Sequence, residues 1–333
     1  MKELLITDRE AGQRLDRFLH KYFSAAGSSF VYKMLRKKNI TVNEKKAAGS
    51  DILHSGDVLR LWFSEETLEK LTGQEASPSG MLPKAKGILA GRIMYEDAHV
   101  LLIDKPAGLL TQKAGPKDHS LVEEVTAYLL ESGQLKADDL ALFHPACANR
   151  LDRNTSGLVA AGKTTAGLQA LSSLIADRRA EKYYRCIVEG TITEGRRLED
   201  YLVKDDRRNM VSVSKRHDKE ARDIVTVYTP VLWGRDLRTN QPLTMLEVQL
   251  ITGRPHQIRA HLASIGHPIL GDRKYGNPNS LAGKSAKRQL LHCCRMTFPV
   301  LEGALAGLSE KSVTAPLPED FAIARWQPSG NTH

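Results

Sequence analysis

The prevailing spacing of apolar residues differs between the first 63 residues and the rest of the chain, and this difference constrains the fold more than any other sequence feature. Helical spacing occurs within residues 1–63, over Gln13 to Phe23 and again from Val31 to Leu35. From residue 91 onward, short apolar runs separated by turn residues indicate strands. Residues 64–90 scatter Ser, Gly, Pro and Lys without periodicity, which is typical of a flexible linker. The 333-residue chain is therefore predicted to have a small domain at 1–63, a linker at 64–90 and a larger, strand-rich domain at 91–325.

Basic charge is concentrated in the first of these domains. The whole chain carries a net charge of +9, and residues 1–63 hold twelve Lys or Arg against seven Asp or Glu. The second predicted helix presents four cations, which we call the basic cluster: Lys33, Arg36, Lys37 and Lys38. Such a helix beside a hairpin can follow a phosphate backbone with little sequence choice. A solvated helix face is the alternative, and charge alone does not decide between the two.

The sequence argues against several classes of protein. No uninterrupted apolar stretch approaches the roughly 20 residues that cross a bilayer, and the first ten residues lack the apolar segment of a secretion signal. The four cysteines include no CxxC pair, so neither a zinc site nor a disulfide framework is predicted. His256 and His261 are five residues apart and fall on different helix faces, which argues against a metal site. We expect a cytoplasmic protein without a bound metal.

One stretch, His144 to Thr164, concentrates the residues from which catalysis can be argued. Asp152 stands between Arg150 and Arg153 and is followed by a polar turn and an apolar run. Flanking guanidinium groups hold a carboxylate ionised, and such a carboxylate acts as a nucleophile or a base at neutral pH. The pattern predicts that Asp152 lies on a loop at the edge of a sheet, where catalytic groups are common. An aspartate that only bonds its own turn is the alternative.

The same tetrapeptide, Arg-Leu-Asp-Arg, also occurs at residues 14–17, where its surroundings favour a different role. The neighbouring apolar residues follow helical spacing, which predicts that Asp16 lies on a solvated helix face. We interpret this first copy as a solvated charge.

Two further segments supply polar groups that a site can use. Tyr184 lies in an alternating strand, Lys182 to Gly190, where its ring can stack on a nucleobase or pack in the core. The segment from Leu250 to Leu262 predicts a strand that ends at Gly253 and a helix whose first turn contains Pro255.

The first domain resembles the small RNA-binding module first recognised in the fourth small-subunit ribosomal protein. The resemblance rests on the order RLDRFL, a basic helix, ITVNEKK and SGDVLRL, between residues 14 and 61. It implies that this domain binds RNA through the basic cluster.

Three motifs of the larger domain, RLDRNTSG, KYYRCIVEG and TGRPHQIRAHL with GHPILGD, resemble the RluA-type family of RNA pseudouridine synthases. The resemblance implies an enzyme that isomerises chosen uridines in structured RNA without a cofactor or a metal, and we expect a monomer. It also implies an α+β fold. The catalytic domain would have a long mixed, mainly antiparallel sheet with a central cleft, and a small α/β RNA-binding domain would precede it.

The resemblance assigns the catalytic role to three residues. Asp152 is the essential carboxylate, Arg259 is its ion-pair partner, and Tyr184 stacks on the uracil and assists removal of its proton. The reaction breaks the bond from the sugar to the ring nitrogen and rejoins the uracil through carbon 5, so it needs no donated atoms and no redox group. Whether Asp152 attacks the sugar, adds to the ring or removes a sugar proton stays open.

Five further residues are implied to contact the substrate. Arg150 fills the space that the flipped base leaves, and Arg254 and Lys105 contact phosphates. Ile269 or Leu270 walls the uracil pocket.

Three positions depart from the family's pattern, and they bear on the target RNA. Asn149 replaces a histidine, Pro255 a threonine and Cys186 a small residue, and none of these changes removes an essential group. Asn149 leaves the subgroup open. By analogy with the family, the resemblance implies that a synthase with a basic first domain acts on large-subunit (23S) ribosomal RNA rather than on transfer RNA.

Two functions of other classes remain as alternatives. A noncatalytic RNA-binding protein or ribosome-assembly factor would share the basic first domain but would not need Asp152 and Arg259. A glycosidase that acts on nucleosides would need a second acid, for which Asp272 is the candidate in the motifs.

Overall fold

The computed structural model describes residues 1–72, 85–115, 117–141, 143–205, 210–216, 221–277 and 279–328. The N-terminal unit comprises β1 (Lys2–Leu5), α1 (Leu15–Tyr22), α2 (Ser28–Arg36), β2 (Ile40–Val42), β3 (Lys45–Lys46), β4 (Val58–Leu61) and α3 (Glu65–Thr72). Its strands form a four-stranded antiparallel sheet in the order β1-β4-β2-β3.

Helical spacing of apolar residues accounts for the packing of α1 on this small sheet. Leu15, Phe18, Leu19 and Tyr22 fall on one side of the helix, and all four are buried in the core of the unit. The two predicted helices and the hairpin are therefore confirmed, although α1 begins two residues later than Gln13 and ends before Phe23.

The first part of the segment predicted to be a linker is helical. Residues Glu65–Thr72 form α3, in which Leu68 is buried in the N-terminal core and Leu71 packs against it. The amide of Ala25 donates to the carbonyl oxygen of Leu71 at 3.1 Å. The N-terminal unit thus extends to Thr72, because its core uses the apolar side of α3, and residues 73–84 of the predicted linker lie outside the described residues.

The larger unit contains the remaining strands and α-helices of the described residues. Its elements are β5 (Ile93–Glu96), β6 (Val100–Lys105), α4 (Leu121–Glu131), β7 (Ala146–Cys147), β8 (Ser156–Gly162), α5 (Thr165–Ala176), β9 (Glu181–Glu189), β10 (Arg196–Asp205), β11 (Met210–Ser214), β12 (Arg222–Asp236), β13 (Pro242–Leu250), α6 (Gln257–Ser264), β14 (Leu291–Thr297), β15 (Ser312–Thr314) and β16 (Ala324–Pro328). Short 3-10 helices cover Ala137–Ala141, Ala282–Lys284, Gly303–Leu308 and Glu319–Phe321.

Twelve strands of the described residues join in one long sheet. Its main path is β11-β10-β12-β13-β9-β14-β8-β6-β5, with β7, β15 and β16 pairing at its sides. Neighbouring strands are antiparallel except β14 and β8, which run parallel. This confirms the predicted α+β fold with a long mixed, mainly antiparallel sheet. β10 and β11 pair antiparallel and extend the sheet at one end.

The helices cover the sheet and position the loops that carry the polar residues. α4 and α5 pack their buried sides on the main core, which includes β6, β8 and β9. In β9, Tyr184, Cys186 and Val188 share the buried side, as the alternation predicts.

The two units contact each other through Arg9. Its carbonyl oxygen accepts from the amide of Thr165 at 2.8 Å, and its guanidinium pairs with Asp139 and donates to the carbonyl oxygen of Gln134. In the described part of the chain, no helix has the length and apolar character required to cross a bilayer.

Candidate active site

Asp152 lies on the loop between β7 and β8, at the edge where the sequence predicts it. Tertiary and local hydrogen bonds fix this loop. The hydroxyl of Thr111 donates to the carbonyl oxygen of Leu151 at 2.9 Å and accepts from the amide of Leu151 at 3.1 Å, while the amide of Thr155 donates to the carbonyl oxygen of Asp152 at 3.0 Å. The Asp152 side chain keeps 30% of its surface exposed. A rigid backbone therefore presents one carboxylate that solvent and a substrate can reach.

Lys105 fixes the other side of the same loop. Its Nζ atom donates to the carbonyl oxygens of Pro106 at 3.0 Å, Leu109 at 2.8 Å and Arg153 at 3.2 Å. The residue has no exposed surface. Burial lowers the pKa of Lys105 to about 7, against the opposing effect of the Asp152 charge. The expectation that Lys105 contacts a phosphate is therefore wrong for this structure, because its ammonium group is buried and bonded to the backbone.

Arg259, on α6, connects Asp152 to a second carboxylate. Its Nη1 donates to Asp152 Oδ2 at 2.7 Å, while Nε and Nη2 donate to the two oxygens of Asp272 at 2.7 and 2.9 Å. The predicted contact between Arg259 and Asp152 is thus present. Burial acts to lower the pKa of Arg259, but the bonds and charges of both carboxylates outweigh it and raise the pKa above its usual value. One guanidinium serves two carboxylates, so the formal charges of Arg259, Asp152 and Asp272 add up to one negative charge. Of the two carboxylates, that of Asp152 is partly exposed and that of Asp272 is buried.

Asp272 orients Arg259 and is not free for other chemistry. Its side chain has no exposed surface, and it also accepts from the amides of Lys274 at 2.9 Å and Tyr275 at 3.2 Å. Burial acts to raise the pKa of Asp272, but the Arg259 guanidinium and these amides lower it overall. The second acid that a glycosidase would need is therefore occupied by Arg259, which argues against that alternative.

His256 and Tyr275 complete the surroundings of Asp152, and the sequence analysis assigned neither a role. His256 Nε2 lies 3.8 Å from Asp152 Oδ2, and His256 Nδ1 lies 2.9 Å from the Tyr275 hydroxyl oxygen. The Tyr275 hydroxyl accepts from the amide of Val211 at 2.9 Å, and the Arg259 guanidinium carbon lies 5.1 Å from the centre of the Tyr275 ring. Burial lowers the pKa of His256 in spite of the nearby Asp152 charge.

The helix start explains why His256 faces Asp152. His256 precedes α6 in the left-handed conformation, with φ 54° and ψ 11°, so Pro255 lies before the helix and not in its first turn as predicted. The spacing of His256 and Arg259 indicates that they are neighbours, but the reversed backbone that aims the imidazole at Asp152 has no sequence signal.

Tyr184 lies in β9 with only 5% of its surface exposed. Burial, then the neighbouring Cys293 and the Asp152 charge, raise the pKa of Tyr184 well above its usual range. The hydroxyl is therefore protonated at neutral pH. The part of Tyr184 in removal of the uracil proton stays a prediction.

The arginines on either side of Asp152 do not neutralise it. Arg153 approaches Asp118, with 3.7 Å between Nη2 and Oδ1. Arg150 is exposed and forms no ion pair with any residue that the structure describes. Among the described residues, the guanidinium that pairs with Asp152 is therefore that of Arg259 and not that of either flanking arginine.

The predicted uracil-pocket residues lie in the core. Ile269 and Leu270 have no exposed surface. Ile269 pairs with Val188, and Leu270 donates its amide to the carbonyl oxygen of Ile187 at 2.8 Å. Neither side chain therefore lines an open cleft in this structure, whereas Arg254 is exposed beside the start of α6.

The first Arg-Leu-Asp-Arg copy differs from its prediction as well. Asp16 is buried, with 6% of its surface exposed, because Arg14 donates to both of its oxygens at 3.1 and 2.6 Å and the Tyr32 hydroxyl donates at 2.9 Å. These bonds lower the pKa of Asp16, with Arg14 as the largest cause and partial burial opposing it. The basic cluster is exposed along all four of its residues. In the described ranges, no three His, Cys, Asp or Glu side chains come together as metal ligands.

Comparison with known proteins identifies the family. Residues 99–264 match the family described as RNA pseudouridylate synthase. The chain is 31% identical over 304 residues to ribosomal large subunit pseudouridine synthase C of Vibrio vulnificus, an alignment that covers 89% of each chain. The chain belongs to the RNA pseudouridine synthase family.

Other members of the family show similar coverage. The synthase C of Vibrio cholerae is 30% identical over 298 residues, which are 88% of this chain and 87% of that protein. The solved structure of human RNA pseudouridylate synthase domain containing 1 superposes on 71% of this chain and on 89% of its own chain, with a TM-score of 0.56. At 18% sequence identity, this similarity supports the fold and no more. The predicted activity is thereby confirmed: this pseudouridine synthase is an isomerase that acts on RNA.

Proposed function

We propose that this synthase isomerises uridines of large-subunit ribosomal RNA, with Asp152 as the catalytic carboxylate and without a cofactor. One observation carries the proposal: Asp152 is a partly exposed carboxylate on a fixed loop, 2.7 Å from a guanidinium that a buried aspartate holds in place. A carboxylate that is paired with a guanidinium and open to a substrate can attack an electrophilic carbon or remove a proton.

The geometry supports a division of roles around the reacting uridine. Asp152 contacts the nucleoside and starts the break of the bond between the sugar and the ring nitrogen. Arg259 orients Asp152 through its planar set of donors, which also bonds Asp272. After the uracil turns, carbon 5 bonds to the sugar and releases its proton, while the ring nitrogen that left the sugar takes up a proton, so that the product has the same atomic composition as the substrate. Tyr184 borders the site as a protonated phenol.

Access to a uridine within structured RNA requires that its base leave the stack. Flipping costs a few kcal/mol, which contacts with phosphates and a side chain inserted in the vacated space offset. Arg150 is exposed two residues before Asp152 and can serve as that side chain, and Arg254 is an exposed cation for a phosphate. The exposed basic cluster of the N-terminal unit supplies further phosphate contacts.

Two observations favour large-subunit ribosomal RNA as the target. Both Vibrio relatives are named as ribosomal large subunit enzymes and align over most of their length. The N-terminal unit also adds a basic surface to the catalytic unit. Action on this RNA would place the protein in the cytoplasm, where we expect it to work as a monomer.

The experiment measures tritium release from RNA labelled at carbon 5 of uridine, with large-subunit ribosomal RNA and transfer RNA as separate substrates. The wild type is expected to release tritium from the ribosomal RNA, and Asp152→Asn to release none. Asp118→Asn is the matched control, because its side chain is 32% exposed, close to the 30% of Asp152, and lies on a neighbouring loop. Equal release by wild type and Asp152→Asn would refute the role of Asp152, and release from transfer RNA alone would refute the proposed target.

A further inference from the structure

A cavity outside the active site lies on the N-terminal unit, on the outer side of α1 and α2. Its volume is about 610 Å³, within the range of roughly 300 to 1,000 Å³ that is typical of ligand sites. The lining residues are Arg14, Asp16, Arg17, His20, Lys21 and Tyr32. None of them belongs to the basic cluster.

Tyr32 forms a fixed aromatic surface in this cavity. Its hydroxyl donates to Asp16 Oδ2 at 2.9 Å, and its ring rests against Gly49, where an added Cβ would lie 2.8 Å from Tyr32 Cε1. The ring of His20 stands edge-on, with centroids 6.0 Å apart. Even so, Tyr32 is 49% exposed. An aromatic ring that is held at its polar end and open on its face is suited to stack on another flat ring.

The charge beside this ring is positive and not neutralised. Asp16 is paired with Arg14. Arg17 and Lys21 lie one turn apart on α1, both exposed, and neither forms an ion pair with an acid among the residues that the structure describes. Partial burial and the nearby Arg17 lower the pKa of Lys21. Two like charges at this spacing repel each other, and an anion bound between them would remove that repulsion.

An aromatic surface beside two unpaired cations matches the chemistry of a nucleotide. We propose that this cavity binds one unpaired nucleotide of the RNA substrate, with its base stacked on Tyr32 and its phosphate held by Arg17 and Lys21. A base inside a duplex cannot reach Tyr32, so the site selects a loop, bulge or single-stranded segment. Asp16 acts here as a positioning residue, because it fixes the Tyr32 ring. This inference rests on the proposed action on RNA.

The test measures binding of full-length protein to a fluorescently labelled oligoadenylate by fluorescence anisotropy. This strand contains no uridine, so its binding does not report on the isomerisation. Tyr32→Leu is expected to weaken binding by about 5- to 100-fold, the loss of one stacked base. Tyr32→Phe keeps a stacking ring but loses the hydroxyl that bonds Asp16, so its affinity for oligoadenylate should lie between those of the wild type and Tyr32→Leu. Trp62→Leu is the matched control, since Trp62 is an equally exposed aromatic of the same unit at 50% and lies outside the cavity.

An abasic phosphodiester strand of the same length separates stacking from charge. Tyr32→Leu should not weaken binding to this strand, whereas Arg17→Gln with Lys21→Gln should weaken binding to both strands. An unchanged affinity of Tyr32→Leu for oligoadenylate, or an equal loss on the abasic strand, would overturn the proposal. The second result would indicate a site for phosphate alone.

Crosslinking of the wild-type protein gives a second measurement that does not depend on the folding of a variant. Ultraviolet irradiation with labelled oligoadenylate should attach the label to the peptide that contains Tyr32, and attachment only elsewhere would contradict the site. Tritium release by Asp152→Asn equal to that of the wild type would count against the proposed function, whereas an unchanged affinity of Tyr32→Leu for oligoadenylate would count against this inference alone.

Discussion

Replacement of Arg259 by lysine tests whether the shared guanidinium organises the active site. Arg259 uses three nitrogen atoms to bond Asp152 and Asp272, and its side chain is only 6% exposed. Lysine has one nitrogen, so it cannot span both carboxylates. Asp272 would lose two charged bonds while its side chain stays fully buried.

The magnitude follows from the cost of breaking a buried ion pair. Removing one partner of such a pair costs about 3–5 kcal/mol, and lysine recovers part of this through one remaining bond, so we expect a loss of about 3 kcal/mol. For domains of 150–250 residues, 1 kcal/mol lowers the melting temperature by about 2–4 °C, which gives a decrease of roughly 6–12 °C. The displaced Asp152 should lower kcat by about 100-fold, the usual effect of a 1 Å error in position.

Differential scanning calorimetry and tritium release measure these two effects. Arg60→Lys is the matched control, because Arg60 also bonds two carboxylates, Glu3 at 2.7 Å and Glu44 at 2.5 Å, but on the surface. It should leave the melting temperature and kcat unchanged, since solvent screens exposed ion pairs. If Arg259→Lys melted with the wild type and retained most of its kcat, the shared guanidinium would not organise the site.

Three further predictions concern other groups. Lys105→Met should lower kcat without raising KM for RNA, and should lower the free energy of unfolding by about 2 kcal/mol, because Lys105 bonds the backbone beside Asp152. An increase in KM alone would instead indicate that Lys105 contacts a phosphate. Burial lowers the pKa of His292 to about 4 in the folded protein, from about 6.5 in the unfolded chain. Between these two pH values the unfolded chain binds one proton more than the folded protein, so the free energy of unfolding decreases as the pH falls through this window. His292→Gln should flatten that part of the melting profile; an unchanged profile would contradict the assignment. Neutralising the basic cluster should reduce the slope of log Kd for RNA against log salt concentration by about 3. An unchanged slope would indicate that the phosphates bind elsewhere on the protein.

The elements of the fold could largely be predicted from local patterns. The spacing of apolar residues in α1 and the alternation in β9 depend on neighbours within one or two turns, so periodicity identifies them. The helix α3 was missed because its apolar residues are few and its packing partners lie in α1 and the sheet. The motifs also indicated the family and the pair of Asp152 and Arg259, a contact that local periodicity cannot supply.

Burial of individual polar groups could not be predicted in the same way. Lys105, Ile269 and Leu270 were expected at the substrate surface and are fully buried. Whether a side chain is exposed depends on which distant strands and loops cover it. His256 and Tyr275 lie beside Asp152 because His256 adopts the left-handed conformation before α6, and no residue pattern predicts that conformation.

The two Arg-Leu-Asp-Arg copies show where the limit lies. In both, the sequence alone establishes that an aspartate stands between two arginines. In the folded chain Asp16 bonds its own neighbour Arg14, whereas Asp152 bonds Arg259, 107 residues away. The same tetrapeptide thus gives a buried aspartate bonded to its sequence neighbour in one copy and a partly exposed carboxylate bonded to a distant arginine in the other. The tertiary structure decided this, because the environment of a charge is set by the chain segments that pack around it and not by its neighbours in sequence.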